Sequence, residues 1–184
     1  MNPLPAWLAA ARSHWQWTGT HRPPFAVAPA PGQHSVWDFP RPPELAPDTR
    51  EVTIHWAGLE VARTRRAIRV LETSHPPSFY LPWADVARHL LQASPGSSFC
   101  EWKGPAQYWS LIEVDRRLDG VAWSYPRPLE GAEALADCVA FYPAHLDCRV
   151  DGAIVLPQPG GFYGGWITPE LVGPFKGEPG STGW

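Results

Sequence analysis

A short run of polar residues before a double proline carries groups that could do chemistry. Glu72, Thr73, Ser74 and His75 supply a carboxylate, two hydroxyls and an imidazole, and Pro76-Pro77 then enforces a turn. A carboxylate that orients an imidazole can make it a general base, provided that the turn aims both groups at one cavity. The structural alternative is that Glu72 caps backbone donors and His75 is a half-exposed ring. Glu72 and His75 are therefore candidate catalytic residues, with both interpretations open.

The third catalytic candidate is Cys100, which lies three residues before Lys103. On a continuous strand these side chains point to opposite faces, whereas a turn at Gly104-Pro105 can bring them together. A nearby ammonium lowers a thiol pKa and favours the nucleophilic thiolate. Covalent chemistry would also need a base, for which His75 is the candidate. The simpler interpretation is a buried, reduced thiol.

Two cations are candidates for holding an anionic group. Lys103 lies among aromatic residues, where an ammonium can bind an anion or stack on a ring. Arg69 closes a cluster of three arginines and precedes the turn that carries Glu72 and His75. Such a cluster is usually a solvated strand edge, although an arginine beside this turn can hold a carboxylate or a phosphate.

Aromatic residues recur along the predicted strands of the central region. Most of them are expected in the core, but tyrosine and tryptophan also favour pocket walls, where one end of the side chain is apolar and the other is polar. The predicted ligand-binding set is Arg69, Glu72, His75, Tyr80, Lys103, Tyr108, Trp123 and Tyr125.

The three cysteines do not predict a metal site. They are odd in number and form no Cys-x-x-Cys pair, so neither a disulfide framework nor a standard zinc knuckle is indicated. Cys138, His145 and Cys148 could assemble a site, but structural zinc normally takes four ligands with paired spacing. We expect reduced thiols, no metal and no cofactor.

Composition excludes several classes of function. The chain has 184 residues and a net charge of −3, so a general nucleic-acid binder with a basic face is not expected. No apolar run is long enough to cross a membrane, and the first residues lack the features of a secretory signal. These features predict a cytoplasmic protein without nucleic-acid or membrane partners. Twenty-three prolines and 16 glycines argue against a helical bundle, whereas 11 tryptophans argue against disorder.

The chain divides into three predicted parts. Residues 1–47 are a Pro/Trp-rich N-terminal arm that we expect to pack on the domain, with one short helix over 6–17. Residues 48–155 form the β-rich core domain, and residues 156–184 are a C-terminal arm rich in glycine and aromatic residues. The C-terminal composition disfavours long regular elements, so its rings are expected to pack on the domain or to close a site.

Within the core domain, strand and turn patterns predict individual elements. Val52, Ile54 and Trp56 alternate with polar residues, which predicts a strand in a hairpin turning at Gly58. Residues 65–72 fit a strand or a helix. Short helices are predicted over 83–91 and 130–137, and Asp119-Gly120 predicts a hairpin turn.

Several motifs resemble a bacterial family, domain of unknown function 427. They are Ser35-Val36-Trp37-Asp38-Phe39-Pro40-Arg41-Pro42-Pro43, Arg69 to Pro77 followed by Tyr80-Leu81-Pro82, Phe99 to Gly104 with Tyr108-Trp109-Ser110, Ala122 to Pro126, and Val139 to Pro143. The resemblance spans residues 35–184. It implies a β-tent-like pair of antiparallel sheets with one or two short helices and long Pro/Gly-rich terminal arms, in a mainly β protein. It implies no known activity.

A nucleotidyltransferase-like label is sometimes attached to that family, and these residues do not support it. Phosphoryl and nucleotidyl transfer need carboxylates for Mg²⁺ and donors around the phosphates. The chain has neither a phosphate-binding Gly-x-x-x-x-Gly-Lys-Ser/Thr motif nor an Asp-x-Asp pair.

Three functions follow as alternatives. The first is binding of a small molecule, of unknown identity, in an aromatic-lined pocket bordered by Glu72, His75, Lys103 and Tyr125, which leaves catalysis open. The second is an enzyme that uses His75 and Cys100 in acid–base or covalent chemistry. The third is an interaction module whose terminal arms dock a partner. A homodimer is compatible with each of them.

Overall fold

The computed structural model describes residues 5–184, and the first four residues of the predicted N-terminal arm lie outside the described part. The fold is mainly β, as the composition and the family resemblance predicted. Within residues 5–184 there is one α-helix, α1 (Ala6–Ser13). Five 3₁₀ turns accompany it: Val36–Asp38, Trp83–Asp85, Arg88–Leu90, Glu133–Leu135 and Pro143–His145.

Fifteen strands make up the described part of the fold. They are β1 (His34–Ser35), β2 (Glu44–Asp48), β3 (Val52–Trp56), β4 (Leu59–Thr64), β5 (Ala67–Leu71), β6 (Ser78–Pro82), β7 (Leu91–Cys100), β8 (Gly104–Glu113), β9 (Arg116–Ser124), β10 (Cys138–Phe141), β11 (Asp147–Val150), β12 (Ala153–Ile154), β13 (Leu156–Pro157), β14 (Trp166–Ile167) and β15 (Leu171–Val172).

Two antiparallel sheets dominate the architecture. The larger has seven strands in the order β2-β5-β6-β10-β9-β8-β7, and the smaller has four in the order β12-β11-β3-β4. Two-stranded pairs, β1 with β15 and β13 with β14, join parts of the terminal arms. No helix within residues 5–184 has the length and hydropathy needed to span a membrane.

Alternation along β6 shows how the large sheet divides its two faces. Phe79 and Leu81 are fully buried in the main core, which includes Ile54 and Val61 from the small sheet. Tyr80 points to the opposite face and packs in a second cluster with Trp123 and Tyr125. Since successive strand residues alternate between faces, one face of the large sheet makes the core and the other carries an aromatic surface.

The terminal arms pack on one another as well as on the sheets. Trp37 is fully buried, and its indole Nε1 donates to the carbonyl of Pro174 at 3.0 Å. Phe25 of the first arm stacks on Trp184 of the last, with ring centroids 5.0 Å apart. This aromatic cluster ties residues from the two ends of the chain together.

Local geometry differs from three of the predicted elements. Residues 83–91 and 130–137 form 3₁₀ turns in place of the two predicted short helices. In the first case Val86 is extended and forms a bridge with Ala62, which interrupts the helical hydrogen bonds. Asp119-Gly120 lies inside β9 rather than in a hairpin turn, and the chain reverses at Val114, where φ is 44°.

Candidate functional site

A cavity of about 220 Å³ opens on the aromatic face of the seven-stranded sheet. Tyr80 and Trp123 form part of its wall from the strands, and the turn after β7 contributes Lys103. The N-terminal arm adds Trp15, and the C-terminal arm adds Tyr163. The cavity therefore lies where both arms meet the large sheet.

Most residues predicted to bind or react lie in this wall. Those that line the cavity are Glu72, His75, Tyr80, Cys100, Lys103, Tyr108, Trp123 and Tyr125. Arg69 does not: it lies on β5 and pairs with the buried Asp48 of β2, with Nε 2.9 Å from Oδ2. Because Arg50 also pairs with this carboxylate, Arg69 belongs to an ion-pair network outside the cavity.

The terminal arms hold the turn that carries Glu72 and His75. The amide of His75 donates to the carbonyl of Glu72 at 3.0 Å, and Ser74 between them has φ of 70°. Ser74 is fixed on both sides, since its amide donates to Val36 at 3.0 Å and its carbonyl accepts from Lys176 at 2.9 Å. These contacts explain how a non-glycine residue is kept in a left-handed conformation.

Glu72 is placed between two cations. Nε of Arg41 donates to its Oε1 at 3.3 Å, and Nζ of Lys103 lies 3.8 Å from its Oε2. Burial alone would raise the pKa of Glu72, but the neighbouring His75, Lys103 and Arg41 lower it below its usual value. Glu72 is therefore ionised at neutral pH, and its closest polar partner is a guanidinium.

The partner of His75 is Gln158 of the C-terminal arm. The amide of Gly165 donates to Oε1 of Gln158 at 3.1 Å, which identifies the other end of the side chain as the NH₂ group. That group donates to the carbonyl of Lys176 at 2.8 Å and to Nδ1 of His75 at 3.0 Å. Nδ1 is therefore an acceptor, and the neutral ring carries its proton on Nε2.

Burial, together with the nearby cations Arg41 and Lys103, lowers the pKa of His75 to about 4, against the opposing charge of Glu72. The Gln158 contact acts in the same direction, because protonated Nδ1 would face an N–H donor. At neutral pH His75 thus offers a hydrogen-bond donor and no free lone pair on Nδ1.

Three tyrosines of the wall, Tyr80, Tyr125 and Tyr142, are neutral phenols. Burial raises the pKa of Tyr80 to about 12, and burial also raises the pKa values of Tyr125 and Tyr142. Nε1 of Trp123 donates to the hydroxyl of Tyr80 at 2.9 Å, which leaves the Tyr80 proton available to another acceptor. Burial of these rings explains why they keep their protons.

Lys103 and Cys100 both line the cavity, which the tight turn between β7 and β8 allows. Burial alone would lower the pKa of Lys103, but the side chains of Cys100 and Glu72 raise it above its usual value. The ammonium thus remains charged at neutral pH. Cys100 is partly exposed, whereas burial raises the pKa of Cys138 to about 11.

The alternative metal site does not form in the structure. Cys138 lies on β10 in the large sheet, and Cys148 lies on β11 in the small sheet, so the two thiols belong to different packing clusters. Across residues 5–184, no group of three or more His, Cys, Asp or Glu side chains is arranged to hold a metal ion.

Sequence reasoning missed the site residues that the arms supply. Trp15 donates from Nε1 to Oε1 of Glu101 at 3.1 Å, and the guanidinium of Arg41 lies 4.2 Å from the centroid of a Trp15 ring. Gln158 and Gly165 hold the two ends of the loop between them together. The amide of Gln158 donates to the carbonyl of Gly165, and the amide of Gly165 donates to Oε1 of Gln158. The signal for Trp15 and Gln158 was the aromatic and glycine-rich composition of the arms, whereas Arg41 lies within the first family motif, Ser35 to Pro43.

No curated protein matches the chain. The profile of a family described as Domain of unknown function (DUF427) matches residues 44–153. The match includes the strands that carry Tyr80 and Trp123 and the turns that carry Glu72 and Lys103, but not the cavity residues Trp15 and Tyr163 of the arms. With more than half of its length matched, the chain belongs to the DUF427 family.

Proposed function

We propose that the protein binds a small molecule in the aromatic cavity. The observation that carries this proposal is a wall that combines aromatic side chains from neighbouring strands with Glu72, His75 and Lys103. Ligand sites are typically concave and mostly apolar, with a few well-placed polar groups that fix orientation. A cavity of about 150 Å³ accepts benzene. The 220 Å³ available here suits a ligand with one substituted ring.

Binding is better supported than acid–base catalysis because of the state of His75. Its Nδ1 accepts from Gln158, and its pKa of about 4 keeps the ring neutral. A general base needs a free lone pair and a pKa near the working pH. In this arrangement the ring recognises an acceptor through Nε2–H more readily than it abstracts a proton.

Nucleophilic chemistry at Cys100 is the second candidate. Its supporting observation is that the thiol lines the same cavity as the buried ammonium of Lys103. A neighbouring cation favours the thiolate, which is the reactive form. The third alternative, docking of a partner through the arms, has less support, because Trp37 is fully buried within the aromatic cluster of the two arms.

Two substitutions on β7 test the binding proposal as a matched pair. Ser98 lines the cavity, whereas Ser97 is exposed, and adjacent strand residues face opposite sides. Ser98→Trp therefore fills the cavity from an edge strand, while Ser97→Trp adds the same ring to the surface.

The measurement is native mass spectrometry of the full chain purified from cells. We expect wild type and Ser97→Trp to carry an extra mass that is lost on denaturation, and Ser98→Trp to lack it. A wild-type native mass equal to that of the denatured chain would contradict retention of a ligand. Equal extra mass on both variants would locate the ligand elsewhere.

A further inference from the structure

Lys103 is the cation of the site whose ammonium has no oxygen partner. Its side chain is 13% exposed, and the nearest carboxylate oxygen, Oε2 of Glu72, is 3.8 Å from Nζ, which is too far for a hydrogen bond. Within residues 5–184, Nζ donates to no oxygen atom. An ammonium has three donors, and the side chain of Cys100 with which it hydrogen-bonds is a weak acceptor, so donors remain for an oxygen-bearing ligand.

The other charged groups around the cavity are already paired. The guanidinium of Arg41 donates to the carbonyls of Trp17 and Thr73 at 3.1 and 2.9 Å as well as to Glu72. Nζ of Lys176 donates to the main-chain oxygen of Trp184 at 2.5 Å. The carboxylate of Glu101 accepts from Trp15. Lys103 therefore differs from its charged neighbours.

Two neutral groups of the wall, His75 and Trp102, add hydrogen-bond donors. His75 carries its proton on Nε2, because Nδ1 accepts from Gln158. Nε1 of Trp102, a lining residue that is 9% exposed, is buried and has no hydrogen-bond partner among residues 5–184. A ligand rich in acceptor oxygens fits this pattern.

We propose that the cavity binds a small aromatic carboxylate, with the anionic group on the ammonium of Lys103 and the ring among Tyr80, Trp123 and Tyr125. This assignment rests on the proposed small-molecule function and names its ligand class. The cavity volume fits a single-ring acid, and the tyrosines supply apolar faces with neutral hydroxyls.

The test compares benzoate with benzamide, its uncharged counterpart of nearly the same shape, by isothermal titration calorimetry on the full chain. Wild type is expected to bind benzoate about tenfold to hundredfold more tightly, as one charge-assisted hydrogen-bonded contact would give. Lys103→Met removes the charge at similar length and is expected to abolish this preference while still binding benzamide. Arg127→Met removes an exposed cation outside the cavity and should leave the preference unchanged.

The outcomes separate this proposal from the one on which it rests. Equal affinity of wild type for the two probes, or an unchanged benzoate preference in Lys103→Met, would overturn the assignment of the ligand as a carboxylate. The proposal that the cavity binds a small molecule would remain. Benzamide binding by Lys103→Met shows that the variant retains its cavity. Failure of both probes to bind wild type would also overturn the class, and the cellular mass carried by wild type and Ser97→Trp then tests the general function separately.

Discussion

Acid destabilisation of this protein should depend on one imidazole. In the folded chain His75 has a pKa of about 4, compared with the ordinary value of 6.5. The unfolded chain therefore binds a proton at a higher pH than the folded chain does. The sign follows from this difference: the contribution of neutral His75 to stability is present above pH 6.5 and is lost as the pH falls towards the folded pKa.

The size of the effect follows from the same two pKa values. Relative to neutral pH, the linkage amounts to about 2 kcal/mol of unfolding free energy at about pH 5 and about 3 kcal/mol at about pH 4. Ionised Glu72 contributes in a lower range, because its lowered pKa places the loss of its stabilisation below the ordinary value of 4.5. Measurements at and above about pH 5 thus report the contribution of His75 separately from that of Glu72.

The assay is urea unfolding followed by tryptophan fluorescence at neutral pH and at about pH 5. His75→Asn removes the ionisable ring but retains an oxygen that can accept from Gln158, so we expect a smaller stability loss between these pH values than in wild type. His89→Asn, at an exposed position, is the control and should follow wild type. An equal pH dependence for wild type and His75→Asn would refute the neutral, Gln158-bound imidazole.

Three further predictions concern reactivity and stability. Iodoacetamide should alkylate Cys100 in the native protein and spare Cys148, whose thiol is buried and has a raised pKa; peptide mass spectrometry giving the reverse selectivity would exclude the nucleophile proposal. Arg41→Met should lower the unfolding free energy by about 3 kcal/mol, because it breaks a buried ion pair and frees two backbone carbonyls; a loss near zero in urea unfolding would contradict this role. Gly19→Ala and Gly58→Ala both place alanine at positive φ, but only at Gly19 does the new Cβ lie 2.2 Å from a backbone oxygen. Gly58→Ala should therefore cost about 1 kcal/mol and Gly19→Ala clearly more, and equal costs would exclude the steric contribution.

The strand patterns of the core domain were predictable because they are local. The alternation of Val52, Ile54 and Trp56 correctly predicted β3 and its hairpin with β4. The prediction of a hairpin turn at Asp119-Gly120 was wrong. The left-handed Gly120, with φ of 62°, lies within the irregular register between β8 and β9 rather than in a turn. The same dipeptide serves a bulge as readily as a hairpin.

The cavity was partly predictable for the same reason. Glu72, Lys103 and Trp123 stood out through residue type and motif, and they lie in one wall. Gln158 was missed because its contact with His75 spans 83 residues and comes from an arm without periodicity. Arg69 was misplaced because the sequence alone could not show its partner Asp48 on the neighbouring strand.

The central claim is that the aromatic cavity is the binding site, and calorimetric titration with phenol tests it most directly. Phenol is neutral and contains one ring, so its binding does not depend on the charge of Lys103. Saturable binding with equal affinity is expected for wild type and Ser97→Trp, with no binding by Ser98→Trp. The absence of binding to wild type, or wild-type affinity in Ser98→Trp, would contradict the claim.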